Sequence, residues 1–125
     1  MASKLKMIPL GGLNEIGKNL TVYEYGKDII IVDCGMGFPD NDMYGVDVVI
    51  PDVTYLVENR RRIRGIVLTH GHEDHIGAIP YVLDKLGFPP IYSTPLTQGL
   101  VELKLQEKGL LNRAKLFTVQ PGDTV

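Results

Sequence analysis

All three histidines of the chain fall within six positions of the stretch Thr-His-Gly-His-Glu-Asp-His-Ile-Gly, residues 69–77. They are His70, His72 and His75, and Asp74 stands among them. Imidazole and carboxylate are ligands that Zn²⁺ favours in proteins. Chance would rarely gather every histidine of a 125-residue chain beside an aspartate. We therefore interpret the stretch as metal-binding rather than as scattered surface histidines.

The segments on both sides of the histidines indicate a strand-to-helix loop. Residues 65–69 read as a short buried strand. Residues 76–86 read as a helix, because apolar residues recur with helical spacing. These positions are Ile76, Ile79, Val82, Leu83 and Leu86. A loop between two such elements allows side chains from neighbouring positions to converge on one point.

The spacing within the loop favours two metal ions over one. His70 and His72 are two residues apart and can face the same way, whereas Asp74 and His75 follow and can face a second point nearby. The arrangement differs from His-Glu-x-x-His, in which both histidines lie one turn apart on a helix.

The rest of the chain reads as strands followed by helices that alternate with strands, which is typical of an α/β fold. Turn residues 26–28 separate two strand patterns and predict a hairpin. Thr94 and Pro95 predict a helix start, and Gly109 predicts its end. A further helix is predicted over 52–64 with Asp52 as its cap. The predicted strands are 4–10, 20–25, 29–33, 91–93 and 115–119.

A hydrophobic strand followed by His-x-His-x-Asp-His resembles the metallo-β-lactamase superfamily. Further segments are similar to its ribonuclease J family, namely residues 11–19, 33–35, 38–40, 46–52 and 69–81. The resemblance implies that residues 1–125 form the N-terminal half of a metallo-β-lactamase αββα sandwich. It also implies that the β-CASP and C-terminal domains of that family are absent from this sequence.

The same resemblance implies a function and a ligand set. His70 and His72 would bind one zinc, and Asp74 and His75 the other, with Asp74 as the catalytic residue; Asp33 would orient a ligand. The activity would be that of a zinc-dependent ribonuclease, a 5′-to-3′ exoribonuclease with endoribonuclease activity as a second mode, acting on RNA in its processing and decay. The family's remaining ligands fall after Val125, so we expect residues 1–125 alone to be inactive.

The histidine loop is also compatible with other functions. The histidine loop would equally serve another hydrolase of the superfamily, acting on a thioester, lactam or lactone, or the chain could be a non-catalytic half-domain. Residues 12–19 come close to a phosphate-binding loop, which we reject. Asn19 lacks the hydroxyl that binds Mg²⁺, Glu15 would oppose phosphate, and residues 20–26 alternate as a strand where a helix is required.

The sequence contains three further candidate sites. Asp40, Asp42, Asp47 and Asp52 lie in the loop-like segment 35–52, and turns or caps are favoured over a calcium site there. Cys34 reads as a small buried residue rather than a ligand. The basic run of Arg60, Arg61, Arg62 and Arg64 is interpreted as a solvated helix end, with an RNA-backbone patch as the alternative.

Composition limits the remaining classes. The formal charge is −2, so RNA must be held by local patches or by further parts of a longer protein. A single cysteine fits a reducing cytoplasm. No apolar run is long enough to span a membrane. Half of a sandwich leaves one sheet face or edge uncovered, so we expect the isolated chain to form homo-oligomers.

Overall fold

Six strands lie side by side in the order in which they occur in the chain. The computed structural model describes residues 4–11, 20–35, 53–69, 76–120 and 122–125, and the architecture below concerns these residues. The strands are β1 (Leu5–Gly11), β2 (Leu20–Tyr25), β3 (Asp28–Val32), β4 (Ile63–Val67), β5 (Ile91–Ser93) and β6 (Leu116–Thr118).

The direction of the strands changes once across the sheet. β1, β2 and β3 are antiparallel neighbours, and β2 and β3 form the predicted hairpin, with Gly26 at a φ of 61° in the turn. From β3 to β6 every pairing is parallel. Parallel neighbours need a crossover connection, and the helices lie in those connections. The carboxyl ends of β3, β4, β5 and β6 therefore share one edge of the sheet.

The helices are α1 (Thr54–Glu58), α2 (Ile79–Val82) and α3 (Pro95–Glu107), with 3₁₀ turns at Arg60–Arg62 and Leu111–Arg113. The residues after the histidine loop behave as predicted, because all five apolar positions between Ile76 and Leu86 are buried. The helix itself is shorter than predicted. α3 matches its prediction closely, and Gly109, at a φ of 70°, follows its end.

The helix predicted over 52–64 is wrong in length and in its cap. α1 begins after Val53 and ends at Glu58. Asn59 then donates its side-chain amide to the Tyr55 carbonyl at 2.8 Å, which occupies an acceptor at the helix end. The arginines continue as a 3₁₀ turn, and the β-branched, buried Ile63 opens β4. Arg64 therefore lies on a strand rather than in a helix.

The core lies on one face of the sheet. Val22, Ile31, Ile66 and Ile91 point to this face and are fully buried, together with helix residues such as Leu105. The mixed α/β architecture confirms the predicted fold class. No helix in the described ranges combines the length and the apolar character that a bilayer crossing requires.

The opposite face of the sheet is open among the described residues. Tyr92 and Phe117 stack there with ring centroids 5.3 Å apart. Gly65 lies beneath this pair, because a Cβ on it would stand 2.9 Å from the Tyr92 ring. Apolar side chains that remain at least one-third exposed occur on five of the six strands: Leu5, Met7, Tyr25, Ile30, Val67 and Phe117. This is the uncovered face expected of half a sandwich.

Candidate metal centre

The two flanks of the histidine loop contact the same short segment of the chain. His70, His72, Asp74 and His75 lie outside the described residues, so their assignment as ligands stays a prediction. The structure does describe Thr69 directly before the loop and the residues from Ile76 directly after it. Both flanks make hydrogen bonds to residues 33 and 34.

Asp33 holds the first flank. Its backbone is in the left-handed region, with a φ of 63°, which aspartate tolerates better than most residues. Its N–H donates to the Val67 carbonyl at 2.8 Å, so the backbone of Asp33 continues the pairing of β3 with β4. The turn out of the strand directs its carboxylate towards the end of β4.

The carboxylate of Asp33 receives hydrogen bonds from Thr69. The Thr69 N–H donates to Oδ1 at 2.8 Å, and the Thr69 hydroxyl lies 2.9 Å from Oδ1 and 2.7 Å from Oδ2. Asp33 is only 7% exposed, and hydrogen bonds to a buried carboxylate are stronger than neutral ones. Asp33 therefore fixes the residue directly before His70.

Cys34 holds the second flank through its backbone. Its carbonyl accepts the Ala78 N–H at 3.0 Å, and Ile76 is fully buried immediately after the loop. The described residues Thr69 and Ala78, on either side of residues 70–75, are thus held by the adjacent residues Asp33 and Cys34.

The Cys34 side chain is a packing group. It is fully buried, as predicted, and burial raises the pKa of its thiol to about 12, with a smaller contribution from the negative charge of Asp33. A thiol must lose its proton to bind a metal, so this environment disfavours a ligand role.

The carboxylates of the loop-like segment 35–52 are the other candidate metal ligands. Asp40, Asp42, Asp47 and Asp52 lie outside the described residues. Within the described ranges, no three histidine, cysteine or carboxylate side chains come together. Asp33 is thus the one residue of the predicted site whose contacts the structure gives, and it contacts Thr69, which the sequence had not singled out.

A second polar cluster lies at the far end of the strands. Tyr55 donates its hydroxyl to the Glu24 carboxylate, and Arg62 lies 3.1 Å from the same carboxylate. Arg62 also donates to the Gly26 carbonyl at 3.0 Å and to the Asn59 side chain at 2.9 Å. The cluster ties the β2–β3 hairpin to the segment between α1 and β4.

The pKa values of this cluster follow from its hydrogen bonds. The Tyr55 hydroxyl, followed by Arg62, holds the pKa of Glu24 below its ordinary value of 4.5, against the opposing effect of burial. The same hydrogen bond raises the pKa of Tyr55, which keeps its proton. A sequence signal existed: Glu24 follows Leu20 and Val22 on the inward side of β2, where a carboxylate requires partners.

Comparison with known families decides the superfamily. The sequence profile described as the metallo-beta-lactamase superfamily matches residues 13–108. The chain belongs to the metallo-beta-lactamase superfamily. The matched range contains β2, β3, Asp33 and the whole histidine loop, which are the elements that carry the predicted site.

Relatives within this superfamily confirm the resemblance seen in the sequence. The chain is 54% identical over 121 residues to ribonuclease J of Synechocystis sp., which covers 97% of the chain and 19% of that protein. It is 47% identical over 117 residues to ribonuclease J of Helicobacter pylori, covering 94% of the chain and 17% of the relative. The chain thus spans about a fifth of the length of these curated relatives.

A solved structure shows the same superfamily fold. The crystal structure of DIM-1 metallo-beta-lactamase matches with a TM-score of 0.52 and 21% identity, over 97% of this chain and 53% of that chain. At this identity the likeness concerns the fold alone. It agrees with the mixed sheet described above.

Proposed function

We propose that the chain is the metal-binding part of a zinc-dependent ribonuclease of the ribonuclease J type. The observation that carries the proposal is the 54% identity, over nearly the whole chain, to a protein named ribonuclease J. The proposed reaction is hydrolysis of RNA phosphodiester bonds, 5′ to 3′ from an RNA end and also internally. The reducing cytoplasm, in keeping with the single cysteine, is the proposed location.

The donor set fits zinc. His70 and His72 would hold one ion, and Asp74 and His75 the second. Bound zinc supplies an acidified water and positive charge for the oxyanion of a phosphoryl transfer. In this scheme Asp74 is the catalytic carboxylate. Asp33 binds no substrate, and it positions the loop by holding Thr69 in place.

The chain supplies too few ligands for two complete zinc sites. Two ligands for each ion fall short of the four that a stable zinc site uses, and the sequence holds no histidine beyond these three. The proposal therefore assigns the remaining ligands to further parts of a longer protein. Part of the RNA-binding surface is assigned to those further parts as well, because the ribonuclease J relatives are about five times longer than this chain.

Zinc content and RNA hydrolysis test this function together. After exhaustive dialysis without chelator, we expect elemental analysis to find well under one zinc per chain. We also expect no hydrolysis of a 5′-phosphorylated RNA by residues 1–125. A longer protein that contains this chain should hydrolyse the RNA, and chelation or the substitution His72→Ala should abolish that activity.

The outcomes separate the alternatives. Hydrolysis by residues 1–125 that disappears in His70→Ala would overturn the proposed inactivity. A longer protein that leaves RNA intact but hydrolyses a thioester, lactam or lactone would assign the loop to another activity of the superfamily. If residues 1–125 fold cooperatively and neither they nor a longer protein that contains them binds metal, the result would favour a non-catalytic half-domain.

The open sheet face leads to a proposal about oligomerisation. Contiguous apolar surface of several strands is rare on monomers, and two sheets pack face to face at about 10 Å. We expect the isolated chain to associate with a second copy through this face, as light scattering at rising concentration would show. Ile30→Glu with Val67→Glu should restore the monomer, because both side chains are exposed on that face. Leu96→Glu, on α3, should not, and a wild-type chain that stays monomeric would contradict the proposal.

A further inference from the structure

The strand directions gather basic residues at one edge of the sheet. β1 and β3 to β6 all point the same way, so their amino-terminal ends share the edge opposite Asp33 and Thr69. We call this the basic edge. Ten of the 13 lysines and arginines of the chain lie at or just before these strand starts: Lys4, Lys6, Lys27, Arg60, Arg61, Arg62, Arg64, Lys85, Arg113 and Lys115.

The sequence that continues from the opposite edge has the reverse charge. Residues 36–52 follow β3, and residues 70–75 follow β4. These two segments contain six carboxylates and no lysine or arginine: Asp40, Asp42, Asp47, Asp52, Glu73 and Asp74. The formal charge of −2 therefore combines basic residues near the strand starts with acidic segments that follow β3 and β4 in the sequence.

Part of the basic edge is committed to internal pairs. Arg62 binds Glu24, and Arg64 lies 2.6 Å from Asp28. Arg113 lies 3.9 Å from Asp84 and stacks on the ring of Phe88. Glu58 is a fourth acidic residue at this edge. These contacts hold the edge together.

The remaining cations are exposed. In the part of the chain that the structure describes, none of the seven contacts a carboxylate within ion-pair distance: Lys4, Lys6, Lys27, Arg60, Arg61, Lys85 and Lys115. An open hollow of about 340 Å³ lies between α1 and β4, lined by residues 58–62. Arg60 extends from it towards the turn before β5, since its Cδ lies 4.0 Å from the point where a Cβ on Gly87 would stand.

We propose that the basic edge binds the phosphate backbone of single-stranded RNA. The proposal rests on the proposed function for its choice of polyanion. From Ile63, which opens β4, to Thr69, which precedes the histidine loop, the chain takes six steps of about 3.3 Å, so the edge lies about 20 Å from the start of that loop. The edge thus holds RNA away from the bond that is cleaved.

Salt-dependent binding tests the basic edge. A labelled 20-nucleotide oligouridylate is titrated with residues 1–125 in the presence of chelator, so that neither metal nor hydrolysis contributes. The test variant is Arg61→Gln with Lys85→Gln, which removes two exposed cations. The matched control is Leu96→Glu with Thr118→Glu, which makes the same change in net charge at exposed positions near the opposite edge.

We expect the test variant to bind several-fold more weakly at about 0.1 M salt and the control to bind like wild type. The plot of the logarithm of the association constant against the logarithm of the salt concentration has a negative slope. Its magnitude should be smaller by about 1.4 in the test variant, because each phosphate contact on a single strand contributes about 0.7. Equal binding by the test variant and the control would overturn the proposal and leave these cations to another acidic partner or to solvent. Absence of RNA binding by the wild type would overturn it too, whereas the ribonuclease proposal is decided separately by hydrolysis.

Discussion

Replacement of Asp33 by alanine should loosen the start of the histidine loop. Two donors of Thr69 would lose the carboxylate they share, and a hydrogen bond to a charged group contributes about 1.5–3 kcal/mol to stability. We therefore expect the free energy of unfolding to fall by about that amount, as measured in urea. Loss of a residue that orients metal ligands typically costs 10–100-fold in affinity. In a longer protein that contains this chain, zinc titration against a chromophoric chelator should show a loss of that order.

Two further variants isolate the cause. Alanine at position 33 also adds strain, because the φ of 63° is unfavourable for it, whereas glycine adopts that conformation readily. Asp33→Gly should thus weaken zinc binding as much as Asp33→Ala does. It should lower the free energy of unfolding by less, because glycine adds no backbone strain. Thr69→Val removes the hydroxyl and keeps the N–H, so it should have the smaller effect. Unchanged zinc affinity and unchanged exchange of the Thr69 amide in Asp33→Gly would refute the positioning role.

Local patterns in the sequence predicted the elements whose residues carry strong local signals. β2 and β5 have the predicted bounds, because inward-facing residues such as Val22 and Ile91 alternate with outward-facing ones. α3 was bounded by Pro95 and Gly109, whose backbone preferences are intrinsic. The resemblance to ribonuclease J added what periodicity does not contain, namely the superfamily fold and the proposed ligands.

Contacts between distant parts of the chain account for what was missed. The arginines after α1 looked helical by composition, yet Arg62 binds Glu24 and the Gly26 carbonyl in a hairpin 36 residues earlier. Asp33 and Thr69 are likewise 36 residues apart. No single-sequence pattern pairs such residues. The open sheet face and the basic edge also follow only once the strand order is known, because each draws its residues from several strands.

Truncation of Ile76 should strongly destabilise the chain. Its side chain is fully buried directly after the histidine loop, and an isoleucine-to-alanine change at such a site costs about 2–5 kcal/mol. We expect Ile76→Ala to lower the free energy of unfolding by that amount and to speed exchange of the Ala78 amide, which donates to the Cys34 carbonyl. The zinc affinity of a longer protein that contains this chain should fall as well, because the second flank of the loop loses its packing.

Ile79 provides the control that separates stability from metal binding. It is the same residue type, 1% exposed, and lies one turn further along, so Ile79→Ala should cost a similar free energy of unfolding. Because it lies beyond the hydrogen bond of Ala78 to Cys34, we expect it to leave zinc affinity nearly unchanged. If both alanine variants fail to fold, the valine pair costs only about 0.5–1.5 kcal/mol each and permits the same comparison. Equal losses of zinc affinity at the two positions would show that the flank acts through global stability alone.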